Sequence, residues 1–332
     1  MAISLESVVH ISETVDVITG VTNIGIICDK GSNFCKPNST ETEKSSPVEI
    51  YLVDSGGDSD AGKKIFKILE HLFPSGFVLK AIISTHSNAD HIGGNKWLVN
   101  KTGCQIWASL GERGSMEFTL LEPTVIWGGY PFKEITGKMY VASSVSVDKI
   151  INYEETIILS DGGKIQFVPL PGHYFDQTGI FYTSPQGIKS IFLGDSIFGR
   201  HVIKKYWIPF LFDVGSFKET LNRIKDIPAQ HYIPSHGNIE TEISAIAELN
   251  LLAILETEAS ILQALKKPMT PEELLKYIAD LNNITLQDGQ YVLIGSTLRS
   301  YLSYLQSQGK IHHWIKDNRM YWECLSNIET KL

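Results

Sequence analysis

The feature that most constrains the fold is a loop rich in metal-ligand side chains, placed directly after an apolar strand. Residues 81–83 are Ala-Ile-Ile, and residues 84–94 read Ser-Thr-His-Ser-Asn-Ala-Asp-His-Ile-Gly-Gly. Three further ligand side chains each follow an apolar run of their own, at His173, Asp195 and His236. Imidazole and carboxylate groups suit zinc, iron or manganese, and strand ends can direct them to one point. The sequence therefore predicts a metal centre built on strand ends.

The histidines are more informative as a set than one by one. Any single one of the ten is best explained as an ordinary surface or half-buried residue. That explanation does not account for His86, Asp90 and His91 lying within six residues. It also does not account for His173 and His236, which are each next to a glycine, where the backbone can turn tightly near an ion.

These residues resemble the metallo-β-lactamase superfamily, whose signature is a His-x-His-x-Asp-His loop followed by separate His, Asp and His ligands. The resemblance covers about the first 240 residues. It implies an α+β fold, a four-layer αββα sandwich, and a metal-dependent hydrolase. By position, it implies that His86, Asn88 and His173 form a first metal site. It implies that Asp90, His91 and His236 form a second site, and that Asp195 is the bridging carboxylate.

One position departs from the signature, because Asn88 stands where the superfamily has its second histidine. An amide oxygen is a weaker donor than imidazole for an ion such as zinc. We therefore expect one tightly held ion and a second that is loose or absent. Two alternatives stay open at this point: Asn88 does not coordinate, or the chain has lost hydrolytic activity.

The expected chemistry is attack by a metal-activated water, with Asp90 and Asp195 as the catalytic residues that orient it. Zinc is the expected cofactor, as one or two ions, with iron and manganese as alternatives. The favoured substrate is a small-molecule ester, thioester or lactone, given the net charge of −8 and the aromatic-rich segment 110–148. The alternatives are a nuclease or phosphodiesterase, and a non-hydrolytic metal-binding or redox protein.

Length and composition predict two domains, residues 1–238 for catalysis and residues 239–332 as a smaller helical unit. The N-terminus lacks a basic stretch followed by a long apolar one, so a cytoplasmic location is expected. The acidic charge disfavours nucleic acid as a partner. No apolar run reaches membrane-spanning length, and a homodimer stays open. The cysteines are expected to be free thiols: Cys28, Cys35, Cys104 and Cys324.

Periodicity predicts most of the secondary structure. Helices are expected at 61–72, around Trp97, and at 216–225, and residues 29–47 are expected to form an exposed loop. The expected strands are 15–27, 48–53, 105–108, 156–159, 164–170, 179–183, 190–193 and a run into Ile233.

Several side chains have two interpretations of similar weight. Asp54 either orients the metal loop, or forms an Asx-turn or a cap before the helix at 61–72. The aromatics between Trp127 and Phe132 either line a pocket or belong to a core or an interface. The better pocket candidates follow predicted ligands directly: Tyr174, Phe175, Ile197, Phe198, His201, Tyr206 and Trp207.

The C-terminal segment, residues 239–332, shows helical patterns at 240–265, 271–281 and 296–307, followed by a hairpin over 310–323. Helices followed by a hairpin resemble a winged-helix domain. The third helix offers only Arg299 as a cation over 296–307, which is poor for reading DNA. We expect the segment to serve packing, dimerisation or as a pocket lid.

Overall fold

The computed structural model describes residues 7–30, 47–205 and 209–325. The predictions for most of the 29–47 loop, for Cys35, and for Tyr206 and Trp207 lie outside these residues. The described chain forms a seven-stranded sheet, a five-stranded sheet and a two-stranded hairpin.

The first sheet holds seven strands in sequence order from one edge to the other. The first four strands are antiparallel neighbours, and the remaining pairs are parallel. The strands are β1 Val8–Ser12, β2 Val15–Ile18, β3 Ile24–Cys28, β4 Val48–Val53, β5 Phe77–Ile83, β6 Gln105–Ala108 and β7 Lys149–Ile150.

The second sheet has the spatial order β12-β11-β10-β9-β8. Only the pair β11 and β12 is parallel. The strands are β8 Thr156–Ile158, β9 Lys164–Pro169, β10 Thr178–Thr183, β11 Lys189–Gly194 and β12 His231–Pro234.

The two sheets pack face to face, because alternate side chains of each are apolar and point inward. Val17, Ile83, Phe167, Ile180 and Phe192 are among the buried residues that fill the space between the sheets. Helices cover both outer faces, which gives the four layers αββα. The predicted α+β sandwich is therefore confirmed.

Helix α1, Ser59–Leu72, lies on the outer face of the first sheet through Ile65, Ile68 and Leu69. Asp58 caps it by accepting from the backbone N–H groups of residues 60 and 61. The interpretation of Asp54 as the cap is therefore wrong. The other helices before the C-terminal segment are α2 Ala89–Ile92, α3 Asn95–Thr102, α4 Leu110–Glu117, α5 Leu121–Trp127, a 3-10 turn Lys133–Ile135, α6 Arg200–Lys205 and α7 Val214–Ile224.

Other parts of the structure differ from the sequence expectations or were not predicted. The apolar run 15–27 forms a hairpin of two strands. Strand β1 precedes this hairpin and was not predicted, because the half-exposed sequence of β1 gave no strong signal. The segment 110–148 contains α4 and α5, whose short lengths blurred the helical period. The side chains of Trp127 and Tyr130 are exposed, so these two are not core residues.

The C-terminal segment contains α8 Ser244–Ala264, α9 Pro271–Leu281, α10 Asp288–Ser307, β13 Ile311–Lys316 and β14 Arg319–Cys324. Thr270 and Glu273 form a capping box at the start of α9. Helix α10 begins eight residues before the predicted start. Its first turns were not predicted because Gly289 and Gly295 weaken the helical pattern of the sequence there. The domain boundary after residue 238 and the winged-helix resemblance remain predictions.

One hydrophobic cluster joins the second sheet to the C-terminal segment. Leu193 of β11 and Phe217 of α7 belong to the same cluster as Ile254 of α8, Leu275 of α9 and Leu298 of α10. The apolar faces of the three C-terminal helices are thus buried against the rest of the chain.

Candidate metal centre

Strand ends bring all seven predicted ligand residues to one edge of the sandwich. His86 and Asn88 follow β5, and the short helix α2 carries Asp90 and His91. His173, Asp195 and His236 follow β9, β11 and β12.

Gly172 makes the turn before His173 possible. Its φ is 129°, a conformation open to glycine, and a Cβ there would lie 2.3 Å from the backbone nitrogen of Phe217. The expectation that glycine permits a tight turn beside His173 is confirmed.

The side chains converge closely. His91 Nε2 lies 3.4 Å from Asp195 Oδ1, and His236 Nε2 lies 3.3 Å from Asp195 Oδ2 and 3.2 Å from Asp90 Oδ2. The rings of His86 and His91 have centroids 4.0 Å apart. Two groups bring their ligand atoms within 4.8 Å of one another: His86, His91 and Asp195, and Asp90, His91 and His236.

Each of the four histidines is held through Nδ1, which leaves Nε2 directed at the centre. His173 Nδ1 donates to the Phe210 carbonyl at 2.8 Å, and His236 Nδ1 donates to the Val21 carbonyl at 2.7 Å. His91 Nδ1 lies 2.8 Å from Asp54 Oδ2. His86 Nδ1 lies 3.0 Å from Thr85 Oγ1. When the rings are neutral, as binding of an ion requires, such hydrogen bonds select the tautomer in which Nε2 carries the free lone pair.

The residues fit a cation because several of their inward atoms make no hydrogen bond. Among the described residues, the atoms His86 Nε2, His91 Nε2 and Asp195 Oδ1 are buried and make no hydrogen bond. Buried polar atoms are otherwise nearly always paired. Imidazole nitrogens and carboxylate oxygens together form a donor set suited to a divalent transition metal.

Asp54 ties the metal loop to the sheet. This fully buried residue adopts a left-handed φ of 63° at the end of β4. Its Oδ1 accepts from the Thr85 backbone N–H at 2.7 Å. Its Oδ2 accepts from the Thr85 hydroxyl at 2.8 Å and also faces His91 Nδ1. The Thr85 hydroxyl therefore acts as the acceptor for His86 Nδ1–H. One carboxylate orients two ligands, as the first interpretation of Asp54 predicted.

We expect Asp54→Ala to weaken metal binding by about 10- to 100-fold while leaving all seven ligand residues in place, because His91 and Thr85 both lose their acceptor. Competition titration against a chromophoric chelator measures this directly. Asp58→Ala is the matched control, since the Asp58 carboxylate caps α1 and pairs with Lys138. Wild-type affinity in Asp54→Ala would contradict the orienting role.

Charge coupling sets the protonation states in the absence of an ion. Burial opposes protonation of His91, but Asp90, Asp195 and Asp54 raise its pKa to about 9. Burial likewise opposes protonation of His236, whose pKa Asp195 and Asp90 raise to about 11. The pKa of His86 falls well below its usual value through burial and the charge of His91.

The metal-free protein should therefore lose stability as the pH rises through about 9 and toward about 11. The folded pKa values of His91 and His236 are raised, so their contribution is complete below the unfolded value near 6.5 and is lost on deprotonation. Thermal unfolding of chelator-treated protein between pH 6 and 10 measures this. The pH slope should shrink in His236→Gln; an unchanged slope would show that other groups dominate.

Two buried glutamates that the sequence analysis did not single out support the metal loop. Glu112 Oε2 accepts from the Ser87 backbone N–H at 3.0 Å and from its hydroxyl at 2.6 Å, and Oε1 accepts from the Asp176 N–H at 2.8 Å. Burial raises the pKa of Glu112 to about 7. Glu122 Oε1 accepts from Asn88 Nδ2 at 2.9 Å. The sequence signal that could have identified Glu112 and Glu122 is an acidic residue on the face of each short helix that is buried in the fold.

Aromatic side chains surround His173. Its ring has centroid distances of 5.7 Å to Phe198 and 5.6 Å to Phe210. Phe175 packs against the exposed Phe212 at 4.5 Å. Tyr174, Ile197 and Phe198 are buried, so of the pocket candidates in the described part of the chain Phe175 and His201 retain exposed surface.

Two C-terminal helices hold loops of the centre. On α8, the buried Asn250 side chain accepts from the Phe198 N–H at 3.0 Å and donates to its carbonyl at 2.9 Å. On α10, the Thr297 hydroxyl accepts from the Leu211 N–H at 3.3 Å. These contacts fix the chain after Asp195 and beside the Phe210 carbonyl that holds His173.

The comparisons with known proteins agree with this architecture. The sequence profile described as the metallo-beta-lactamase superfamily matches residues 49–236. No curated protein matches the chain.

Three solved structures illustrate the likeness. A beta-lactamase domain protein from Burkholderia ambifaria has a TM-score of 0.71 at 14% identity, over 98% of this chain and 95% of that one. A metallo-beta-lactamase family protein from Thermus thermophilus has a TM-score of 0.66 at 16% identity, over 95% and 96%. A metallo-beta-lactamase from Pontibacter korlensis has a TM-score of 0.52 at 15% identity, over 75% and 98%.

A sandwich whose strand ends gather histidines and carboxylates defines a metal-dependent hydrolase. The chain belongs to the metallo-β-lactamase superfamily. The predicted family, fold and enzyme class are thereby confirmed. The role of each ligand residue stays a prediction. Over the residues the structure describes, no helix combines the length and apolarity needed to cross a membrane.

Proposed function

We propose that this chain uses zinc to hydrolyse a small-molecule ester, thioester or lactone. The observation that carries the proposal is that four imidazoles and two carboxylates gather at one edge of the sandwich. A divalent metal held there lowers the pKa of a bound water and polarises the oxygen under attack. Iron and manganese suit the same donors and are the alternatives for the ion.

The proposed ligands are the seven residues predicted from the sequence: His86, Asn88, Asp90, His91, His173, Asp195 and His236. Asp90 also lies on the open side, since its side chain is 45% exposed while that of His91 is fully buried. Asp90 Oδ2 is therefore placed to accept a proton from the attacking water. Asp195 lies between His91, His173 and His236 and is suited to orient that water.

The surroundings support an uncharged, partly apolar substrate. Phe175 and the exposed Phe212 lie on the His173 side of the centre, where they offer apolar surface for an acyl group. The chain as a whole carries a net charge of −8, which disfavours a polyanion as substrate.

A phosphodiester is the second candidate, and α6 is the observation that favours it. This helix carries the exposed cations Arg200 and Lys204. It begins directly after Gly199, whose N–H donates to the His236 carbonyl at 2.9 Å. Cations beside a metal centre can bind a small anionic group.

Nucleic acid remains a disfavoured partner in our proposal. Arg299, the one cation of α10, is paired with Glu272 at 3.2 Å. We propose that the C-terminal segment supports the catalytic sandwich, with a homodimer and a cytoplasmic location as open parts of the proposal.

The test starts from protein purified without added metal. Elemental analysis should find zinc, and hydrolysis of a carboxylic ester, thioester and lactone panel should stop on chelation and return when zinc is added. His71→Ala, an exposed histidine on α1, is the matched control and should behave as wild type. Phosphodiester hydrolysis alone would favour the second candidate. Oxygen consumption with bound iron, and no hydrolysis, would overturn both.

A further inference from the structure

Glu122 of α5 is a buried acid that the chemistry above does not use. It is 8% exposed, and none of the ion pairs among the described residues includes it. A buried carboxyl group without a cation needs hydrogen-bond partners. Its partners are the backbone N–H of Ala89 and the Asn88 amide, whose Nδ2 donates to Glu122 Oε1 at 2.9 Å.

The other end of the same amide faces His173. Asn88 Oδ1 lies 3.0 Å from His173 Nε2. The Nδ1–H of His173 is already donated to the Phe210 carbonyl at 2.8 Å. In the neutral ring, Nε2 is then an acceptor, and two acceptor atoms point at each other. The arrangement becomes favourable when Asn88 Oδ1 and His173 Nε2 bind the same cation.

Reversing the amide would remove this arrangement. The hydrogen bond from Asn88 Nδ2 to Glu122 Oε1 would then be lost. The NH₂ hydrogens would point toward the ion, and an amide nitrogen is not a metal ligand. Glu122 therefore selects which end of Asn88 reaches the centre. The departure from the superfamily signature at position 88 is thus accompanied by a buried acid that fits it.

We propose that Glu122 is a positioning residue that holds the Asn88 amide with its oxygen directed at the His86 and His173 side of the metal centre, which makes Asn88 a metal ligand through Oδ1. The proposal rests on a divalent ion binding there, as in the proposed function, but it is independent of the substrate.

The experiment measures zinc affinity at each site of the full-length protein by competition with a chromophoric chelator, without any substrate. Glu122→Leu should lower the affinity of the weaker site by about 10- to 100-fold, whereas Glu122→Gln, which keeps an acceptor oxygen, should retain most of it. Glu258→Leu is the matched control: this buried acid of α8 pairs with Lys218 at 2.7 Å, so its loss should lower the unfolding temperature but not zinc affinity.

A double-mutant cycle separates positioning from general support of the fold. Asn88→Ala should weaken the same site, and adding Glu122→Leu to it should cause no further loss. If Glu122→Leu weakens zinc binding equally with Asn88 present or absent, the proposal is overturned. Wild-type zinc affinity at both sites in Asn88→Ala would also overturn it.

A reciprocal exchange keeps the test available if Glu122→Leu does not fold. Asn88→Asp should weaken the site, because an aspartate has no NH₂ group to donate to Glu122 Oε1 and its orientation is then no longer held. Combining it with Glu122→Gln should restore zinc affinity, because the glutamine NH₂ can donate to one aspartate oxygen and leave the other for the ion. No restoration in the double variant would contradict the pairing. Because only zinc is titrated, failure of ester hydrolysis does not affect the result.

Discussion

His91→Ala is expected to lower zinc affinity by more than about 100-fold and to abolish hydrolysis. This loss of affinity is larger than the one caused by removing a residue that only hydrogen-bonds to a metal ligand. His91 Nε2 belongs to both of the convergent ligand groups. Its removal also leaves Asp54, Asp90 and Asp195 without their shared cationic partner. Asn88→Ala, by comparison, should cost only the weaker ion.

Elemental analysis and competition titration of the two variants, with His71→Ala as control, measure the difference. Circular dichroism should show that His91→Ala retains the sandwich, since the strands that carry the loop do not depend on it. Equal metal loss in His91→Ala and Asn88→Ala would show that the sites are not unequal.

Removal of residues 239–332 is expected to give aggregated protein. The cluster that contains Leu193 and Phe217 also contains Ile254, Leu298 and Leu302, so truncation exposes the outer face of the second sheet. Exposed apolar surface of that extent drives association. The measurement is the soluble, monodisperse fraction on size-exclusion chromatography, and coexpression of residues 239–332 should recover it.

A milder variant tests the same coupling in the intact chain. Asn250→Ala leaves the Phe198 N–H and carbonyl unpaired and should cost about 1–3 kcal/mol of unfolding free energy. Asn222→Ala, on the exposed surface of α7, is its control. A soluble and active fragment 1–238, with an isolated 239–332 segment that binds duplex DNA or RNA at physiological salt, would instead favour the nuclease alternative.

The sequence was sufficient for the parts of the centre that depend on local pattern. The apolar runs before His86, Asp195 and His236 predicted strand ends, because period and composition report burial. The capping box at Thr270 was readable for the same reason, since cap and partner lie three residues apart.

The remaining parts depend on contacts between residues far apart in sequence. The acceptors for His173 and His236 are backbone carbonyls of Phe210 and Val21, 37 and 215 residues away, and no side-chain pattern marks a carbonyl. Glu112 and Glu122 were missed because acidic residues on short helices usually face solvent. Asp54 and Thr85 are 31 residues apart in sequence, and the pairing of β4 with β5 brings them into contact. The role of Asp54 could therefore be assigned only from the structure.

The hydrogen bonds from Asn250 and Thr297 have a consequence for motion. The amides of Phe198 and Leu211 become accessible to solvent exchange only when α8 or α10 moves away from them. Local opening of the C-terminal helices and loosening of the loops that hold Asp195 and His173 should therefore occur as one cooperative event. The lifetime of a bound ion is then governed in part by helices that supply none of its ligands.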